Sequence, residues 1–176
     1  FTTLPLALRG NLESMDINKK NENGYDLTAV LFTPDKESPG TVESLVDFSE
    51  KVDATWQHSP DGKKHEVTLT NVPAGMKGER ILRLSVSSNK LGVEKADVVT
   101  VSIPDQNDFS VYDVTYVSEP ERYVEVAFTK LLDVAQDMRG LAFIAENTSE
   151  TVTVDGNKLR LYPDADLWKK LSLIHI

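Results

Sequence analysis

The chain has 176 residues and a formal net charge of −9, enough length to bury a core and an acidity that argues against nucleic acid and anionic membrane surfaces as partners. It holds no cysteine, which excludes a disulfide framework, thiol catalysis and cysteine-ligated metal, and it has no run of about twenty apolar residues with which a helix would cross a bilayer. It begins at Phe1 with neither an initiating Met nor a charged-then-apolar leader, which implies a processed or truncated start.

Residues 25–33 (YDLTAVLFT) form a short apolar run whose β-branched and aromatic content favours a strand, and Thr33-Pro34-Asp35 ends it. Pro34 and Ser38-Pro39-Gly40 read as turns. A second strand is expected over residues 45–49 and a third over 54–58, alternating around Trp56. Ser59-Pro60-Asp61-Gly62 then makes a type I or II turn, since Pro presets φ and Gly tolerates a positive φ. Residues 64–70 return as an alternating strand with Val67 and Leu69 inward, completing a hairpin, and residues 80–86 and 98–103 supply two more strands.

Short, regularly spaced strands without an intervening helical period describe an antiparallel sandwich. Pro104-Asp105-Gln106-Asn107-Asp108 is polar, and its proline cannot donate to a sheet ladder, so the domain boundary is placed there. A second series follows over residues 110–117, 123–128, 141–145, 151–154 and 159–162, with Val124, Val126 and Phe128 on one face and Asp155-Gly156-Asn157 as a tight turn. These strands are too few for a full sandwich, so the second domain reads as truncated with a free sheet edge. The expected division is residues 1–104, a linker over 105–108, a partial domain over 109–168, and a tail over 169–176. Residues 171–176 (LSLIHI) resemble translated sequencing-adapter sequence and are set aside from fold reasoning, the alternative being a strand cut off midway.

Candidate chemistry is sparse. His58 and His65 flank one expected hairpin and can approach each other, but two nitrogens without a third ligand make a poor zinc site; they read as surface hairpin histidines, and His175 lies in the tail. Asp105, Asn107 and Asp108 cluster hard oxygen donors, and their D-x-N-D order resembles the calcium-binding linker of cadherin repeats, which needs about six to eight oxygens. Glu119 and Glu121 lie nearby, although Glu119-Pro120-Glu121 is more simply a turn between strands. No G-x-S-x-G elbow is present, and Gly75-Met76-Lys77-Gly78 lacks the length and ending of a phosphate loop, so no catalytic residue and no cofactor are expected. Trp56, Tyr112, Tyr116 and Tyr123 sit at strand positions from which aromatics stack on ligands, but Trp56 reads first as a residue packed between two sheets.

Phe128-Thr129, Leu131-Leu132-Asp133, Gln136-Asp137, Gly140-Leu141 and the run from Asn157 through Lys158, Leu159, Arg160, Leu161 and Tyr162 to Pro163 together resemble the first macroglobulin-like domain of bacterial alpha-2-macroglobulins of the Bacteroidetes type. Trp56, His58, Val67-Thr68-Leu69, Ile103-Pro104 and Asp108-Phe109 resemble the domain that precedes it in that family. The resemblance implies an all-β chain of tandem immunoglobulin-like or macroglobulin-like antiparallel β-sandwiches, as a non-catalytic scaffold portion of a far longer protein. Such proteins are periplasmic or envelope-located, often lipid-anchored, and trap proteases through a bait region and sometimes a thioester. The thioester needs a cysteine and a glutamine, so that chemistry does not carry over to this cysteine-free stretch. The implied partners are other domains of the same chain and, through parts elsewhere, proteases; the fragment itself is expected to be monomeric, bound to no nucleic acid and not inserted in a membrane. An immunoglobulin-like adhesin or carbohydrate-binding module is the alternative, since sandwiches host many functions.

Overall fold

A computed structural model describes residues 8–86, 96–138, 141–142, 144 and 151–163. The chain divides into two compact units, Phe1–Asn107 and Asp108–Ile176. Among the described residues there are eleven strands and one short helix, and every strand pair is antiparallel.

The first unit holds β1 (Arg9–Asn18), β2 (Asn21–Phe32), α1 (Pro39–Leu45), β3 (Val46–Phe48), β4 (Asp53–His58), β5 (Lys64–Pro73), β6 (Arg80–Val86) and β7 (Ala96–Ile103). One sheet has the order β1-β2-β5-β4 and the other β3-β6-β7. In β5 the buried side chains His65, Val67 and Leu69 alternate with more exposed neighbours, the period-two pattern of a strand with one face on a core. Tyr25, Leu27, Ala29 and Leu31 of β2 add to that face, and Leu82, Leu84, Val99, Val101 and Ile103 form the apolar face of the second sheet. The two layers meet closely at Gly10, where an added Cβ would lie 2.5 Å from Cδ2 of Leu31 in one sheet and 2.7 Å from Cγ2 of Val99 in the other.

Three elements differ from expectation. Strand β1 was not anticipated, because its register shifts between Leu12 and Ser14 and the shift breaks the alternation by which a strand is recognised. Residues 39–45 are a helix rather than a turn leading into a strand. Ser38 caps it by accepting from the Thr41 N–H at 3.3 Å, and Pro39 fits the first turn, where no backbone donor is needed. Val42 and Leu45, three apart on one face, are the buried positions of α1. The strand expected over 45–49 is consequently only Val46–Phe48.

The hairpin from β4 to β5 closes as its composition requires. Gly62 takes a φ of 68° and donates its N–H to the Ser59 carbonyl at 2.9 Å, while the Asp61 carboxylate accepts from the Ser59 hydroxyl and the Lys63 N–H. Those bonds hold the Asp61 carboxyl below its ordinary value.

The second unit contains β8 (Val111–Val117), β9 (Tyr123–Phe128), β10 (Thr151–Asp155) and β11 (Lys158–Tyr162), in the order β10-β11-β9-β8. Its registers place Val114, Tyr116, Val124, Val126, Val152, Val154, Leu159 and Leu161 on one apolar face. The middle of that face is buried, with Val124, Leu159 and Leu161 at most 5 % exposed, whereas Val114 and Tyr116 on β8 are 47 % and 46 % exposed. The turn joining β10 to β11 sets Gly156 at φ 63°, and the Asn157 amide reaches back to donate to the Phe128 carbonyl at 2.8 Å. The strand expected over 141–145 falls partly outside the described residues, and Leu141 lies in a turn, donating its N–H to the Met138 carbonyl. Residues 169–176, His175 among them, lie outside the described residues.

Candidate functional site

One polar arrangement among the described side chains is centred on the buried His65. It sits on the inner face of β5, directly opposite His58 of the edge strand β4, and is fully buried, not the surface histidine expected from its hairpin position. Strand alternation puts it beside Val67 and Leu69, and the turn after β4 folds over it. The two rings meet edge to face with centroids 5.1 Å apart, and their Nδ1 atoms are 2.8 Å apart. At that distance one nitrogen donates and the other accepts, so the pair shares one proton on this axis; two N–H groups there would collide.

The far ends of the two rings are also occupied. His58 Nε2 lies 3.0 Å from Oε1 of Glu43 on α1, and because a carboxylate only accepts, this nitrogen donates. His65 Nε2 lies 3.4 Å from the Thr33 hydroxyl oxygen, which also lies 2.7 Å from the Asp35 carbonyl and 3.3 Å from the Gly62 carbonyl. The chain Glu43, His58, His65, Thr33 therefore ties α1, β4, β5 and the end of β2 together. Burial lowers the His65 pKa from its ordinary value of 6.5, and the neighbouring His58 lowers it further, against smaller opposing pulls from a hydrogen bond to the Gly62 backbone and then from Glu37 and Asp61.

A surface pocket of ≈ 510 Å³ opens beside His58, lined also by Glu37, Ser38, Pro39, Ser59 and Pro60. The hydroxyl and imidazole groups that line it are engaged: Ser59 donates its hydroxyl to the Asp61 carboxylate at 2.5 Å, the Ser38 and Thr41 hydroxyls lie 2.7 Å apart, and His58 Nε2 lies 3.0 Å from Glu43 Oε1. Among the described residues no group of three or more His, Cys, Asp or Glu side chains is placed to hold a metal ion. What this arrangement does is fasten α1 and the edge strand β4 to the buried face of β5.

Trp56 is half-buried, and its ring stacks on His58 at 5.8 Å between centroids and 5° between planes. It is not packed on both sides as a sandwich-core tryptophan would be, because β4 ends its sheet. Tyr112, Tyr116 and Tyr123 belong to the second unit, where Tyr116 and Tyr123 project from opposite faces of one sheet. Tyr123 lies 5.5 Å from Tyr162, with the Arg160 guanidinium 5.3 Å above its ring. Glu125 binds Arg160 at 2.9 Å and Lys158 at 3.4 Å, and this contact keeps the Arg160 guanidinium more firmly protonated.

Asp105 and Asp108, the candidate calcium ligands, serve their own units. Asp105 Oδ2 accepts from the Gly78 N–H at 2.6 Å and Oδ1 from the Asn107 N–H at 2.7 Å and the Asn107 side-chain amide at 3.2 Å. Gly75 reinforces the same closure, donating to the Pro104 carbonyl and accepting from the Gln106 N–H, both at 2.8 Å. Residues 105–107 are thus fastened to the first unit rather than hanging as a solvated linker. Asp108 accepts from the Ser110 hydroxyl through its carboxylate and from the Thr129 hydroxyl through its backbone, both at 2.7 Å. Asp105→Ala is expected to cost about 2 kcal/mol, the scale of charge-assisted bonds to backbone donors. Thermal unfolding of wild type with millimolar calcium or with a chelator checks the rival role: the two midpoints should coincide.

Glu43 and Thr33 were not singled out from sequence. Glu43 lies fifteen residues before His58, and only the helix brings it there. A Ser-Pro pair three residues before a Val-x-x-Leu spacing was the available signal.

Fold and site together define an antiparallel all-β protein in which Glu43, His58 and His65 join a helix to two strands and Asp105 closes a loop. Comparison with protein-family models, curated proteins and solved structures found no match. No described helix is long and apolar enough to cross a membrane.

Proposed function

We propose that the chain is a non-catalytic scaffold portion of a bacterial alpha-2-macroglobulin-like envelope protein, built from immunoglobulin-like or macroglobulin-like sandwiches. The observation that carries this role is the strand order of the first unit. Its β1-β2-β5-β4 and β3-β6-β7 sheets follow the constant-type immunoglobulin arrangement, in which the first, second, fifth and fourth strands form one sheet and the third, sixth and seventh the other. The second support is chemical: the histidines, Asp105 and Asp108 are engaged in closing turns and joining elements, which suits a spacer more than a reaction centre.

In this role the fragment supplies rigid spacing and surface for neighbouring domains in the periplasm or on a lipid-anchored parent, and contact with proteases belongs to other parts of that parent. The coding sequence on either side of the fragment tests the assignment. Further macroglobulin-like domains downstream are expected; unrelated domains there would defeat it. The purified fragment should also leave the turnover of serine and metalloproteases unchanged, and inhibition by the fragment alone would relocate the function to these residues.

A further inference from the structure

Asn23-Gly24 is the single Asn-Gly step in the chain, and it lies near the start of β2, just after the turn from β1. Asn23 is exposed. Its backbone is held, the N–H donating to Asn21 Oδ1 at 3.1 Å and the carbonyl accepting from the Ala74 N–H at 2.9 Å. Its carboxamide, by contrast, makes no hydrogen bond among the described residues, so nothing keeps Cγ from turning onto its own chain. Gly24 is required by packing. A Cβ there would lie 2.4 Å from Asn71 Oδ1 and 3.1 Å from Asn21 Nδ2, two atoms bonded to each other at 2.8 Å. Asn71 is itself fixed, donating its N–H to Asp26 Oδ1 at 2.9 Å. The fold thus demands the one residue that leaves its own nitrogen unshielded by a side chain, directly after an asparagine whose side chain is unengaged.

We propose that Asn23 is a site of spontaneous deamidation, with water as the only co-reactant. The Gly24 nitrogen gives up its proton and bonds to Asn23 Cγ; the Cγ–Nδ2 bond breaks, ammonia leaves, and a five-membered cyclic imide results. Water then opens the ring at one of its two carbonyls. Opening at Cγ leaves an aspartate in the ordinary chain. Opening at the former main-chain carbonyl leaves an isoaspartate, whose chain runs through Cβ and Cγ and whose carboxylate sits on Cα. Either product carries one more negative charge than asparagine, next to Glu22, and is about 1 Da heavier. The fold accepts the two products unequally. Aspartate keeps the main-chain path and both backbone bonds of residue 23. Isoaspartate inserts an extra carbon between an N–H held by Asn21 and a glycine that is paired with Pro73 and crowded by Asn71. The isoaspartate form should therefore melt below the aspartate form, and Asn23→Asp should melt with wild type.

The folded protein, held in mildly alkaline buffer and then digested, is read by mass spectrometry with fragmentation to locate the change. Asn23 should gain about 1 Da at least tenfold faster than Asn11, Asn71 and Asn107, which are also exposed but are followed by Leu, Val and Asp. Ammonia should be released in step, and a methyltransferase that labels isoaspartate should label the same peptide. Asn23→Ser removes only a side chain without a partner, so it should keep the wild-type Tm and lose the fast gain. A folded chain that stays unaltered at Asn23 while the urea-unfolded chain reacts, a gain at Asn23 no faster than at Asn11, or a fast phase that survives Asn23→Ser would each overturn the proposal.

Discussion

Leu31→Ala is expected to destabilise the first unit by about 3 kcal/mol, within the range of buried leucine truncations that leave a partly unfilled cavity. Leu31 is fully buried on β2, directly opposite Gly10 of β1, and both lie against Val99 of the other sheet. Its removal opens a space at the seam between layers, where neither sheet can collapse without shifting its own ladder. The fall in Tm should be on the order of 10 °C or more for a unit of this size. Gly10 supplies an internal control. Gly10→Ala alone forces a methyl against Leu31 Cδ2 and Val99 Cγ2, and should cost about 1–2 kcal/mol. In the Leu31→Ala background the nearer obstacle is gone and the new methyl enters the vacated space, so the two costs should fall short of additive by about 1 kcal/mol. Strict additivity in chemical denaturation of the four proteins would refute this account of the seam.

The same seam explains what was legible in the chain. Strands β5, β6 and β9 could be read from Val67 and Leu69, from Leu82 and Leu84, and from Val124 and Val126, because each pair lies two residues apart on one buried face. The turn at 59–62 was legible because Pro60 and Gly62 carry their conformational preferences with them. Strand β1 was not, since its bulge places Leu12, Met15 and Ile17 out of period. Helix α1 was hidden by its own cap, as Ser38-Pro39-Gly40 has the composition of a turn and only Ser38 accepting from Thr41 distinguishes it. The site was legible only as proximity. That His58 and His65 face each other follows from hairpin register, whereas the depth of His65 depends on non-local packing around its face of β5.

Charge placement follows a similar rule. Glu125, Arg160 and Lys158 project from the polar face of the second sheet, and cross-strand registers bring them together without any local sequence signal. Asp105 is the opposite case, since a short acidic cluster is conspicuous in sequence but its oxygens are taken by nearby N–H groups. A cluster of donors in sequence marks a ligand site only where folding leaves the oxygens converging and unspent.

Acidification from pH 7 to pH 5 should destabilise the first unit through His65. Burial first, and the charge of His58 second, hold the His65 pKa below 6.5, so the unfolded chain takes up this proton at a higher pH than the folded one. Stability is therefore fully present above pH 6.5 and is lost as the pH falls through the folded-state value, with a slope no steeper than about 1.4 kcal/mol per pH unit for one proton. The geometry agrees with the sign, because a second proton between Nδ1 atoms 2.8 Å apart breaks the contact. The Asp61 carboxyl, held below 3.8, adds its own acid sensitivity only at lower pH and leaves this window clear. His65→Asn keeps an amide near His58 Nδ1 while removing the titration, so it should lower stability at pH 7 yet flatten the pH 7 to 5 slope. Denaturant midpoints across that range decide the matter: an equal slope in the variant would place the acid-sensitive proton elsewhere. Ring-proton NMR of His65 gives the direct measure, and protonation at or above pH 6.5 in the folded protein would reverse the sign of the whole effect.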